Sequence, residues 1–84
     1  MSSTMFALLR LRVVADADPG VVARVLERFQ NLNILPRRIT AECATNHLVH
    51  IEVDVCGMPE DQLSMVTGKI GQSPSIVNAY WHRV

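Results

Sequence analysis

Three histidines, two cysteines and eight carboxylates are the side chains from which this chain could build a catalytic or metal centre. His47 and His50 stand three apart in an alternating run, so on a strand they point to opposite faces and share neither a metal nor a proton. Cys43 and His47 flank a turn, but two ligands fall short of the four that a structural zinc site takes. His82 stands far from both in sequence. The chain has no Gly-x-Ser-x-Gly elbow, no Met-x-Cys-x-x-Cys loop and no four-cysteine set. That pattern speaks against serine hydrolysis, soft-metal transport and iron–sulfur chemistry. The expectation is a non-enzymatic chain without cofactor or metal.

More local information sits in residues 15–34, ADADPGVVARVLERFQNLNI. Asp18 suits the N-cap of a helix, where its carboxylate can accept a free backbone N–H. Pro19 suits the first helical position, where no N–H is needed. Gly20 has no Cβ, so the helix start can approach a strand, another chain or a ligand. From Pro19 to about Leu32, Val22, Val25, Leu26, Phe29 and Leu32 form one apolar stripe, with Arg24, Glu27, Arg28 and Asn31 opposite it.

The elements around this junction follow from alternation and breakers. Residues 5–14 read as a strand with Met5, Ala7, Leu9, Leu11 and Val13 on one face and Phe6, Leu8, Arg10, Arg12 and Val14 on the other. Residues 34–44 read as a second strand with Leu35, Ile39, Ala41 and Cys43 inward, at an edge because Pro36 cannot donate to a ladder. Arg37 falls on the inward parity of that strand, which calls for snorkelling or a bulge. A turn at residues 44–46 leads into a third strand over 47–56, with Val49, Ile51, Val53 and Val55 inward and His50, Glu52 and Asp54 outward. Pro59, Glu60 and Asp61 open a second helix, carried on by Leu63, Val66 and Ile70 and ended by residues 71–74. Residues 75–84 form the last strand, with Val77, Ala79 and Trp81 on one face and Ile76, Tyr80 and His82 on the other.

The order βαββαβ predicts an α+β ferredoxin-like sandwich, a four-stranded antiparallel sheet with both helices on one face. Right-handed crossovers are expected to place the first and third strands parallel at the centre, with the second and last at the edges. All 84 residues form one domain, with residues 1–4 expected as a disordered tail. A chain of this length buries only about 60–65% of its unfolded surface, so self-association is a natural supplement.

Charge and composition narrow the partners. Nearly half the residues are apolar and the formal net charge is zero, so no electrostatic hold on nucleic acid or a membrane surface is indicated. The open sheet face pairs Arg10 and Arg12 with Glu52 and Asp54, an ion-pair ladder rather than the aromatic platform that binds RNA. Phe6, Leu8, Tyr80 and His82 on that face are candidates for a protein contact. The N-terminal stretch is interrupted too early by Arg10 and Arg12 to form a signal peptide or a membrane span, so a cytoplasmic location is expected. On the expected hairpin, Cys43 lies opposite Leu48 and Cys56 opposite Leu35. That separation exceeds disulfide reach, and both are expected as free thiols.

With the strand order in place, the chain resembles the ACT domain, the small ligand-binding module of amino-acid metabolism. The resemblance rests on the first strand, Asp18-Pro19-Gly20-Val21, Ala23-Arg24-Val25-Leu26, Phe29 and the pair Asn33-Ile34. Within that family it is most similar to the short regulatory subunits of acetolactate synthase. Those subunits activate a separate thiamine-diphosphate catalytic subunit. His50-Ile51-Glu52-Val53, Gln62-Leu63 and Lys69-Ile70 fit that subgroup.

The resemblance implies a homodimer joined at edge strands, with the acetolactate synthase catalytic subunit as partner and an amino acid such as valine as candidate effector. The effector site would combine Asp18, Gly20 and Val21 of one chain with Asn33, Ile34 and Leu35 of its neighbour. Free N–H groups at a helix start suit a carboxylate. One departure bears on occupancy. Many effector-sensitive members carry asparagine three residues before the glycine, where this chain has Ala17. Either Asp16 or Asp18 substitutes for it, or amino-acid binding is weak or absent and the domain activates by assembly alone.

Overall fold

A computed structural model describes residues 7–84. Met5 and Phe6 of the expected first strand, and the tail expected over residues 1–4, lie outside them. Six elements follow in order: β1 (Leu8–Asp16), α1 (Val21–Gln30), β2 (Arg38–Cys43), β3 (Leu48–Cys56), α2 (Glu60–Gly71) and β4 (Ile76–Arg83). They form a four-stranded sheet in the order β2-β3-β1-β4, the expected ferredoxin-like α+β arrangement. The central pair corrects one expectation: β1 and β3 are neighbours but run antiparallel. Each helical crossover skips one strand position, so the strands it joins are parallel without touching, and the strand between them runs the other way.

One sheet face makes the core. Leu9, Leu11, Val13 and Ala15 of β1 and Val49, Ile51, Val53 and Val55 of β3 are buried, covered by Val21, Val25 and Phe29 of α1 and Leu63, Val66 and Ile70 of α2. α1 is more strongly amphipathic than α2, whose interior includes Gly68. Two polar ties hold α2 on β4. Arg83 forks onto Glu60 at 2.5 and 2.7 Å, and the Trp81 indole N–H donates to Ser64 Oγ at 2.9 Å.

Several boundaries differ from the sequence reading for identifiable reasons. β2 is shorter than expected because Pro36 and Arg37 precede it; Arg37 therefore needs no inward place and is exposed. The hairpin connection spans residues 44–47, with His47 in the left-handed region at φ 63°. Cys43 accordingly lies opposite Val49, not Leu48. Directly opposed residues share a sheet face, so a pairing of inward Cys43 with outward Leu48 would turn one apolar face to solvent. Both cysteines are free.

In β4 the register shifts beside Val14 and Ala15, which pair with Asn78 and Ile76. The bulge leaves Val77 exposed and turns Ile76 onto the core side with Ala79 and Trp81, reversing the expected faces of Ile76 and Val77.

The open sheet face carries the expected ladder in register, Arg10 opposite Asp54 and Arg12 opposite Glu52. Arg10 forks onto Asp54 through Nε at 2.6 Å and Nη2 at 2.9 Å, and this leaves Asp54 buried although it points outward. The Arg10 guanidinium holds the Asp54 carboxyl below its ordinary value, outweighing the opposing effect of burial. Arg12 donates to Glu52 at 2.5 Å and to His82 Nε2 at 3.0 Å, and the rings of Tyr80 and His82 stack 6.3 Å apart.

Candidate functional site

The two halves of the expected effector site are the two ends of α1. At its start Asp18 does not occupy the N-cap. The N-cap is Gly20, and it makes no side-chain capping bond. The Val21 N–H donates to the Asp18 carbonyl at 3.0 Å, closing a turn with Pro19 and Gly20 at its centre. Pro19 fixes φ in the first of those positions, so its rigidity shapes the turn and not the first turn of the helix. The Asp18 carboxylate accepts the Gly20 N–H at 3.2 Å, two residues ahead of itself. Backbone bonds of Asp16 to Ser75 at 2.8 Å and of Ala17 to His47 at 3.0 Å pin the approach to this turn.

Gly20 has an ordinary helical φ of −88°, so its role is spatial. A Cβ there would stand 2.9 Å from Arg24 Nη1. The Arg24 guanidinium lies across the glycine, pairs with the Asp18 carboxylate and reaches Ser75 Oγ at 3.5 Å. Arg24, then the Gly20 N–H, hold the Asp18 carboxyl below its ordinary value. The sequence places Arg24 on the polar face of the helix and within a motif, but not over the turn. Its position four after Gly20, one helical turn above the junction, was the available signal.

At the other end, Asn33 adopts the left-handed conformation at φ 59°. The Ile34 N–H donates to the Phe29 carbonyl and the Asn33 N–H to the Gln30 carbonyl, both at 2.9 Å. These paired bonds are the Schellman closure, for which asparagine substitutes for the usual glycine, and Ile34 packs, partly buried, against the core. Asn33 and Ile34 thus have a structural task of their own. Leu35 has none of that kind and is 91% exposed.

Within one chain these halves stay apart, because the ten residues of α1 span about 15 Å. Both open beside the uncovered part of β2. Ala17, Asp18, Pro19 and Val22 border a depression of about 290 Å³ that reaches Ala41 and Cys43. Asn33, Ile34, Leu35 and Leu26 border another of about 360 Å³ that reaches Ile39. Ile39, Ala41 and Cys43 face the helix side, as expected, yet all three are exposed because α1 covers β1 and β3 and not the edge strand. Val21 is buried, and its N–H is already bonded, so it contributes to the first depression from the core side. No metal-binding group of three or more His, Cys, Asp and Glu occurs among the described residues.

No family model and no curated protein matches the chain by sequence. Solved structures match it by shape. The C-terminal domain of the MgtC protein from Mycobacterium tuberculosis is 16% identical, with a TM-score of 0.79 over 100% of this chain and 94% of that one. The ACT domain from GTP pyrophosphokinase of Chlorobium tepidum is 13% identical, with a TM-score of 0.75 over 92% of this chain and 99% of that one. A homoserine dehydrogenase from Thiobacillus denitrificans matches 93% of this chain over 17% of its own, at 16% identity and a TM-score of 0.72. The fold is therefore that of ACT domains, and the likeness extends over nearly the whole chain.

Proposed function

We propose that this chain is a regulatory ACT module that binds the acetolactate synthase catalytic subunit and raises its activity in branched-chain amino-acid biosynthesis. It works as a homodimer and performs no catalysis itself. The observation that carries the reading is the β2 edge, unpaired among the described residues, beside which Leu35, Ile39, Ala41 and Cys43 stand exposed. Antiparallel pairing of β2 with its copy would cover that strip. It would also set Asp18, Gly20 and Val21 of one chain beside Asn33, Ile34 and Leu35 of the other. The resemblance of His50-Ile51-Glu52-Val53, Gln62-Leu63 and Lys69-Ile70 to the short synthase subunits is what favours that particular enzyme.

Co-purification with the synthase catalytic subunit, and its rate with and without this protein, tests the reading. Association with a raised rate is expected; no association and no change in rate reject it. A second reading is an amino-acid-sensing or dimerisation module for another metabolic enzyme. It is favoured by the appearance of the same fold within GTP pyrophosphokinase and homoserine dehydrogenase. Calorimetry against a panel of amino acids including valine separates the two: binding without affinity for the synthase supports the second.

A further inference from the structure

A separate groove lies between the antiparallel helices, on the side of the molecule away from the sheet. Its wider part, about 430 Å³, joins the end of α1 to the start of α2, and a narrower part of about 60 Å³ continues toward the start of α1. Leu32 and Met65 border the wide part, 40% and 64% exposed, over a floor that includes buried Val66. Arg28 and Lys69 border both parts, one from each helix.

Four charged groups face this groove. Arg24, in the narrow part, is paired with Asp18, and Asp61 at the far end accepts the Gln62 N–H at 2.9 Å. Arg28 and Lys69 have no ion-pair partner among the described residues. An apolar floor flanked by two unpaired cations selects an occupant that is apolar on one side and acidic at its margins. A second copy in a two-fold arrangement would bring the same two unpaired cations, Arg28 and Lys69, into the shared interface from both sides. Residues 1–6 carry no acidic side chain. The groove follows the length of α1, about 15 Å, which two to three turns of a third helix would match.

We infer that the α1–α2 groove is a docking site for an acidic amphipathic helix of a partner protein, anchored by apolar side chains over Leu32, Met65 and Val66 and held by Arg28 and Lys69. This goes beyond the regulatory reading and holds whichever enzyme the module serves. Both cations also lie in the last turn of their helices, where they complement the helix dipole, and that role alone would move stability and not binding.

The test uses the full chain and a displayed library of ten- to fourteen-residue peptides, with an apolar stripe at helical spacing and flanking positions drawn from Glu, Lys and Ser. Glu-flanked peptides are expected to be selected and to shift the Met65 methyl signal in NMR spectra. R28E/K69E is expected to weaken them at least tenfold and to bind their Lys-flanked counterparts instead; M65S weakens both sets. These exposed positions leave the fold intact, which circular dichroism checks. The inference is overturned if no Glu-flanked peptide is selected, or if R28E/K69E binds them unchanged. Signals moving on the open sheet face or β2 in place of Met65, or a Met65 shift produced by raising the protein concentration alone, would also overturn it.

Discussion

Truncating Leu35 measures whether the uncovered strip beside β2 is a dimer interface. Leu35 is 91% exposed, so in the isolated chain its side chain supports little else. Leu35→Ala removes three carbons, and at about 0.8 kcal/mol per buried methylene that is roughly 2 kcal/mol for each chain. A two-fold interface counts the change twice, about 4 kcal/mol, which at 1.4 kcal/mol per decade weakens the dimer roughly a thousandfold. Burial of only half the side chain leaves about a thirtyfold effect. Sedimentation equilibrium over a wide range of protein concentration reads this directly. The melting temperature at a concentration where both proteins are monomeric should be unchanged. Val77→Ala, which trims exposed apolar surface on the opposite edge strand, is the control and should leave the dissociation constant alone. A Leu35→Ala dimer within twofold of the parent, or a larger loss from Val77→Ala, would refute the argument that β2 joins the two copies.

Three further outcomes follow from the packing and the ion pairs. Phe29→Ala, at a fully buried position where α1 also closes, should cost about 3–5 kcal/mol in urea unfolding, a large share of the stability of so small a domain. Because Arg10 holds the Asp54 carboxyl below its ordinary value, its contribution is fully present above about pH 4 and is lost as pH falls through the lowered value. Urea midpoints measured from pH 6 to pH 2 should therefore fall more steeply for the parent than for Asp54→Asn. Gly20→Ala should displace the Arg24 guanidinium at little cost to the fold and return the Asp18 carboxyl toward its ordinary value; an NMR titration of Asp18 that does not change would contradict this.

The fold was legible because the apolar faces are unambiguous. Leu9, Leu11 and Val13 alternate against Arg10 and Arg12, and Val49 through Val55 alternates against His50, Glu52 and Asp54, so only one face of each central strand can be buried. What could not be read depends on single backbone features. The left-handed His47 moves the hairpin register by one, and the bulge at Val77 exchanges the faces of two residues; neither sequence position carries the glycine that commonly marks such a site. Asp54 shows another limit. Parity places it outward, but burial depends on the guanidinium that lies over it from the neighbouring strand. The Arg24 pairing is hidden for the same reason, since its partner is a turn residue six positions earlier.

Arg24 also bears on what Ala17 leaves open. In one chain the helix start that would receive an effector carboxylate already has a carboxylate of its own: Asp18 accepts the Gly20 N–H and pairs with the guanidinium lying over that glycine. An incoming amino acid would have to displace Arg24 and share the turn with a like charge, while its ammonium group would find Asp18 already neutralised. Asp18 thus satisfies the turn more readily than it replaces the missing asparagine. Of the two alternatives, activation by assembly asks least of this geometry, because the exposed strip from Leu35 to Cys43 needs only a second copy to cover it. On that argument, calorimetry with valine should give no binding heat for the parent protein, whereas a saturable signal would show that Arg24 and Asp18 yield to the ligand.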